Sequence, residues 1–365
     1  MLKFGLYSVV LMVLFSCEEA KKQMLKYQFS NELIKHSGRS EVLTDQSIAL
    51  IGSAASVEFN VKGDSVNIYL QTESSNRNYY VVSVNDVYKK RYKIEGDSIQ
   101  KIALKLPNLE QNTIGIYKAT EASNDKIIFH GVDAVALLPI EVKQFKIEFI
   151  GDSITCGALS DDSDIPCNEG EYQDQHNAYL AYGPQVAKQL NADFMVSSVS
   201  GIGMYRNWND ENSEEAIMPD VYDYLYLNKD NLKPFNLEFQ PDIVSICLGT
   251  NDMSDGDGVK ERLPFNAEKY TSNYIKFVEG IYKRYPNTKV ALLSSPMLSG
   301  DKQKVIVACL EQVQEHFKTQ NDKDIALFQF NDIYPHGCSA HPSIEEHKTI
   351  ANVLEPFFKT LLVKE

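Results

Sequence analysis

The segment FIGDSITCG, Phe149 to Gly157, ends an alternating apolar run on a glycine, an acid and a serine. Alone, the hydroxyl of Ser153 is a poor nucleophile at neutral pH. It needs an adjacent base, for which a neutral imidazole is well suited, and His341, in GCSAHPS, is the candidate. Attack on a carbonyl carbon would leave an anionic oxygen that requires preorganised donors. The candidates are the backbone N–H of Ser153, the backbone N–H of Gly201 in SGIG and the side-chain amide of Asn251 in GTND. Glycine at 201 also lets backbone approach a bound group closely. No CxxC or HExxH occurs, so a zinc site is not expected, and this serine chemistry implies no metal or organic cofactor.

Residues so far apart must be collected by the fold. From about Leu25 to Leu138 the chain reads as short runs of period-two alternation, such as SVEFNVKG, SVNIYLQTE and QKIALKL, separated by turn residues. The expectation for residues 25–140 is an antiparallel sandwich or jelly roll. Beyond the boundary at Pro139 to Gln144, short apolar strands alternate with amphipathic helices over residues 145–365. That alternation implies an α/β unit, a flavodoxin-like parallel sheet covered on both faces. Sites in such sheets lie at the carboxyl ends of the strands. FKIEFI delivers Asp152 and Ser153, DFMVSSVS delivers Gly201, PDIVSICL delivers Asn251 and Asp252, and IALFQF leads to His341.

A chain of 365 residues exceeds what one core usually holds, which agrees with two domains. Its first 16 residues are set apart: Lys3 precedes an apolar run, Phe4 to Phe15, too short to span a bilayer. They read as an export signal, and LFSC resembles a bacterial lipoprotein signal in which Cys17 becomes the lipid-modified first residue. Residues 17–24 then form a charged tether. The location implied is the bacterial envelope, periplasmic or cell-surface, with membrane contact only through that lipid. A net charge of −14 excludes a nucleic-acid partner, which would need clustered Lys and Arg. Among the other cysteines, Cys247 and Cys309 lie in apolar patterns and read as buried hydrophobes. Cys156, Cys167 and Cys338 flank the chemistry-bearing segments, and a disulfide among them is expected, its pairing left open.

GDSIT, SGIG, GTND and AHPS, in that order, resemble the four blocks of the GDSL-type, or SGNH, hydrolases. GDSITCG, NAYLAYGPQVAKQLNAD, SGIGMYRNW and GCSAHPS, preceded by a β-rich half, are similar to carbohydrate esterase family 2. The resemblance implies a jelly roll followed by an SGNH hydrolase domain. It also implies a serine esterase that removes acetyl groups from a plant-type poly- or oligosaccharide through an acyl-enzyme at Ser153. Most SGNH hydrolases place an aspartate shortly before the histidine, whereas here Cys338, Ser339 and Ala340 stand there. A Ser153–His341 dyad is therefore expected, its imidazole held by a backbone carbonyl, with Ser339 or Asp332 as alternative helpers and His336 as an alternative base. The missing acid also suits a weakened hydrolase that captures glycans at the cell surface. A lipase or thioesterase for another acyl group is the remaining alternative.

Asp152 and Asp252 are candidates for contact with substrate, although satisfying turn backbone groups is the expected role of each, Asp252 within its own GTND loop. Trp208, the only tryptophan, is a candidate sugar platform or a structural aromatic. Arg206 and Asn207 are candidate pocket residues. His176 is expected in a solvated loop, within a polar insert from Leu159 to Gln175, and His347 on the exposed face of the last helix.

Overall fold

The computed structural model describes residues 23–73, 77–210, 215–236, 238–320 and 323–363. Residues 1–16, read as an export signal, and Cys17 lie outside the described residues. From Leu25 to Leu138 the chain forms two six-stranded antiparallel sheets. Their strands follow the alternation: in Ser65–Thr72, Val66, Ile68 and Leu70 are wholly buried while the residues between them are partly exposed. The two inner faces meet in one core, with Val57, Phe59 and Ile116 from one sheet against Ile68, Leu70 and Phe129 from the other.

The second unit is a five-stranded parallel sheet. Its strands are β1 (Phe145–Gly151), β2 (Ala192–Ser198), β3 (Ile243–Cys247), β4 (Lys289–Leu293) and β5 (Ala326–Phe328), in the order 2-1-3-4-5. This is the expected flavodoxin-like α/β arrangement, with its switch point beside β1. Helices cover both faces. α1 (Ser153–Cys156) is a single turn; α2 (Tyr182–Gln189) packs on one face with the last helix, α6 (Ile344–Leu362). A short α3 (Met218–Val221), α4 (Ala267–Arg284) and α5 (Gly300–Gln320) cover the other. In α4 the buried Tyr270, Tyr274, Phe277, Val278 and Ile281 recur at helical spacing, and Asn266 caps the helix by accepting the Lys269 N–H at 2.9 Å.

α6 starts with a capping box, in which Ser343 and Glu346 accept each other's backbone N–H groups. Its apolar stripe of Ile350, Ala351, Leu354 and Phe358 faces the sheet, and His347 lies on that stripe, fully buried. The expectation of an exposed His347 is thus corrected: the helix phase that buries Ile350 and Leu354 turns residue 347 inward as well. Its Nδ1 accepts the Tyr182 N–H at 3.3 Å, and burial pushes its pKa down to about 3.

The two units share a buried polar seam. Arg39, fully buried, donates to Ser197 Oγ at 3.0 Å and to the carbonyls of Tyr222 and Tyr224 at 2.9 and 2.7 Å. Glu148 on β1 accepts from Ser197 Oγ at 2.6 Å and from Tyr222 Oη at 2.8 Å.

Candidate active site

Strand register decides where the loops begin. Gly151, the last residue of β1, lies level with Ser198 of β2 and Cys247 of β3. The loops carrying Ser153, Gly201 and Asn251 therefore leave the sheet at one edge, its carboxyl edge. Asp152 caps α1, its Oδ1 accepting the Ile154 N–H at 3.0 Å, which sets Ser153 as the first helical residue.

His341 reaches the same edge from the turn before α6. Its Nε2 lies 2.9 Å from Ser153 Oγ, and its Nδ1 lies 3.2 Å from the Ser339 carbonyl. A carbonyl accepts only, so Nδ1 carries the proton and Nε2 presents a lone pair to the serine hydroxyl. The carbonyl stands where an orienting aspartate would. Burial lowers the His341 pKa below its usual 6.5, partly opposed by the Ser339 carbonyl and assisted by nearby His176. Imidazole is thus neutral, and basic, at neutral pH. His336 faces elsewhere: it is exposed and pairs with Glu346.

The turn holding the Ser339 carbonyl is tightly made. Ser339 and Ala340 both have positive φ, +50° and +59°. Gly337 N–H donates to the His341 carbonyl at 2.7 Å, and Cys338 N–H donates to that of Leu159 at 2.8 Å. A disulfide joins Cys338 to Cys167, so the turn is covalently tied to the polar insert; Cys156, Cys247 and Cys309 are free and buried.

Gly201 has φ +78°, in the left-handed region. A Cβ there would meet only Trp208 Cβ, at 3.9 Å, so the dihedral rather than lack of space calls for glycine. The Asn251 amide donates to the Ile202 carbonyl at 2.9 Å and lies 3.3 Å from Asp152 Oδ2. Burial raises the Asp152 pKa to about 7, against the pull of the Ile154 N–H. Asp152 is buried beneath the site and occupies the turn-capping role.

Two other candidates are placed differently. Asp252 does not brace its own GTND loop: it accepts the backbone N–H groups of Met204, Tyr205 and Arg206, at 2.7 to 3.2 Å, and so holds the loop that carries Gly201. Burial still lifts its pKa to about 6. Arg206, read as a pocket residue, is buried and donates to the carbonyls of Asp252 and Leu263, both at 2.7 Å. Its backbone sits in a tight turn, and its side chain spans to the neighbouring loop instead of the groove. Asn207 borders the groove but spends its side chain on Gly203 N–H and the Ala216 carbonyl.

Trp208 is 48% exposed and borders a groove of about 590 Å³ with Ser200, Gly201, Glu215 and Lys260. Its backbone N–H donates to the Gly201 carbonyl at 2.7 Å. His176 is fully buried, not solvated, because the insert folds inward against the first unit. Sequence reasoning missed Tyr172, whose Oη donates to Ser200 Oγ at 3.0 Å and whose ring meets His176 edge-on. It also missed Glu121, which accepts the Ser200 N–H at 2.7 Å. No periodicity or motif marks either residue. Among the described residues no group of His, Cys, Asp and Glu is arranged to hold a metal.

Residues 149–344 match the model of the GDSL-like lipase/acylhydrolase family, and residues 36–139 match that of the carbohydrate esterase 2 N-terminal domain. An acetylxylan esterase / glucomannan deacetylase of Cellvibrio japonicus is 27% identical over 278 residues, covering 75% of this chain and 73% of the relative. Among solved structures, a family two carbohydrate esterase from Cellvibrio japonicus superposes with TM-score 0.79 at 23% identity, covering 93% of this chain and 98% of the other. A family two carbohydrate esterase from Clostridium thermocellum, in complex with cellohexaose, superposes with TM-score 0.79 at 23% identity, covering 90% and 99%.

Proposed function

The chain belongs to the GDSL-like lipase/acylhydrolase family, and we propose that it is a serine esterase that removes acetyl groups from carbohydrate through an acyl-enzyme at Ser153. The observation that carries this reading is the 2.9 Å contact between Ser153 Oγ and a His341 whose other nitrogen faces a carbonyl. Ser153 Oγ attacks the acetyl carbonyl carbon as its proton passes to His341 Nε2. The new imidazolium keeps its Nδ1 proton on the Ser339 carbonyl, so the pair acts as a dyad. The oxyanion is met by the N–H groups of Ser153 and Gly201 and by the Asn251 amide. At rest the Asn251 amide donates to the Ile202 carbonyl and, at longer range, to Asp152, so it reaches the oxyanion only when its side chain turns as a whole. Collapse expels the sugar oxygen, which takes the proton from His341. Water, deprotonated by His341, then attacks the acyl carbon, and acetate leaves as Ser153 recovers its proton.

The carbohydrate half of the proposal draws on the carbohydrate esterase 2 N-terminal match and the acetylxylan esterase relative. The groove beside Gly201 offers Trp208 as a platform for an acetylated poly- or oligosaccharide. Orientation of the imidazole without an acid favours catalysis over the glycan-capture alternative. Acetate release measured across acetylated xylan, glucomannan and simple acetylated sugars tests the function. Ser153→Ala should abolish release, and release unchanged in that variant would remove Ser153 as nucleophile. Residues 1–16 and Cys17 support an exported, lipid-anchored location. Detergent-phase partitioning of the cellular protein, lost in Cys17→Ser, is the expected behaviour.

A further inference from the structure

Glu121 lies on the loop after the strand Asn112–Lys118 of the first unit and is 2% exposed, yet its carboxylate meets three groups of the second. Oε2 accepts the Ser200 N–H at 2.7 Å and lies 3.6 Å from Cys156 Sγ; Oε1 lies 3.4 Å from His176 Nε2. Burial would raise its pKa, but the contact with His176 and the Ser200 N–H more than offset this, so the group stays ionised below its usual 4.5. A buried carboxylate is costly unless fully bonded, and this one is bonded across the domain seam. Its own backbone is fixed: the Glu121 carbonyl accepts Lys118 Nζ at 2.5 Å and the Asn124 N–H at 3.0 Å. The adjoining Ala119 carbonyl accepts the Ala178 N–H at 2.9 Å.

The group that Glu121 holds is the residue before Gly201. The Ser200–Gly201 peptide carries the Gly201 N–H, and anchors flank it: the Ser200 N–H belongs to the peptide before it, and the Gly201 carbonyl to the peptide after it. Glu121 takes the Ser200 N–H, Tyr172 donates to Ser200 Oγ, and the Gly201 carbonyl accepts the Trp208 backbone N–H at 2.7 Å. A glycine at φ +78° has wide conformational freedom, so the direction of its N–H depends on such anchors. Of the three, only the one to Glu121 is to an ionised acceptor, and a charge-assisted bond to a buried carboxylate is stronger than a neutral one.

We propose that Glu121, by holding the Ser200 N–H, is a positioning residue for the adjoining Gly201 N–H, so that the β-sheet unit helps to aim the oxyanion donor of the esterase site. This rests on the reading of Gly201 as that donor. The test uses the full mature chain carrying Glu121→Gln, Glu121→Asp or Glu121→Ala. Hydrolysis of 4-nitrophenyl acetate, thermal unfolding and hydrogen exchange at the Ser200 and Gly201 amides are measured for each. The expected result is a kcat about 10-fold lower for Gln and about 100-fold lower for Ala, with KM within about two-fold and partial recovery in Asp. Exchange at Ser200 should accelerate at least about ten-fold. Folded variants whose kcat stays within about two-fold of the parent, or whose only change is a lower unfolding temperature, would overturn the proposal by leaving Glu121 a packing residue. If Glu121→Ala fails to fold, the Gln and Asp variants decide. If the parent and Ser153→Ala are equally inactive, the esterase reading has failed on its own, and unchanged exchange in Glu121→Gln would then overturn the anchoring separately.

Discussion

At the scale of single residues, the chemistry turns on what His341 can do without an acid behind it. A carbonyl holds the ring and selects its tautomer, but it carries no full charge with which to stabilise imidazolium. Burial adds to the effect by disfavouring the cation, which places the His341 pKa below 6.5. Only the neutral ring can accept the Ser153 proton. The dependence of kcat/KM on pH should therefore rise through an inflection below 6.5 to a plateau that includes neutral pH. An inflection at or above 6.5 for the free enzyme, measured on an aryl acetate, would assign the base elsewhere. His347 gives a second pH effect, this time on stability. Its folded value of about 3 lies below the usual 6.5, so the stability tied to its neutral ring is present above pH 6.5 and is lost as pH falls toward 3. His347→Asn keeps an acceptor for the Tyr182 N–H but cannot be protonated. It should flatten the fall in urea midpoint between pH 7 and pH 4.5 relative to the parent.

At the scale of elements, the turn from Gly337 to His341 works as one piece. Two consecutive residues at positive φ are strained unless their surroundings hold them. The Cys167–Cys338 disulfide, the Cys338 N–H bond to Leu159 and the capped start of α6 supply that support. Cys167→Ser should lower the unfolding free energy by about 2–4 kcal/mol. It should also reduce kcat more than it raises KM, because a looser turn misplaces Nε2 relative to Ser153 Oγ. Equal kcat in oxidised and reductant-treated enzyme would show that the turn holds its shape without the bond.

At the scale of the whole molecule, the two units behave as one body because polar groups of each are buried in the other. Arg39 is the clearest case: burial pulls its pKa down and pushes that of Glu148 up, and the two charges offset one another through Ser197. Removing Arg39 leaves the buried Glu148 with Ser197, Tyr222 and the charge of Arg284 alone, and breaking a buried charge pair costs up to about 3–5 kcal/mol. Arg39→Ala should show that loss in chemical denaturation. The parent should unfold in a single calorimetric transition, whereas two separated transitions would mean that the units fold independently.

Much of this was legible beforehand. Strand and helix order follows from local hydrophobic period, which each segment carries by itself, and the parallel sheet then obliges the loops after β1, β2 and β3 to share an edge. Ser153, Gly201, Asn251 and His341 were singled out in this way, as residues whose chemistry and place along the chain agree. The inward positions of His176 and His347, the identity of the carbonyl that stands in place of an acid, the Cys167–Cys338 pairing and the reach of Glu121 across the seam were not. Each depends on contact between residues distant in sequence, set by how helices and insert pack against the sheets. Chain order by itself therefore determined which groups could react and at which edge, whereas side-chain burial and cross-domain hydrogen bonds, which exist only after packing, decided how those groups are aimed and charged.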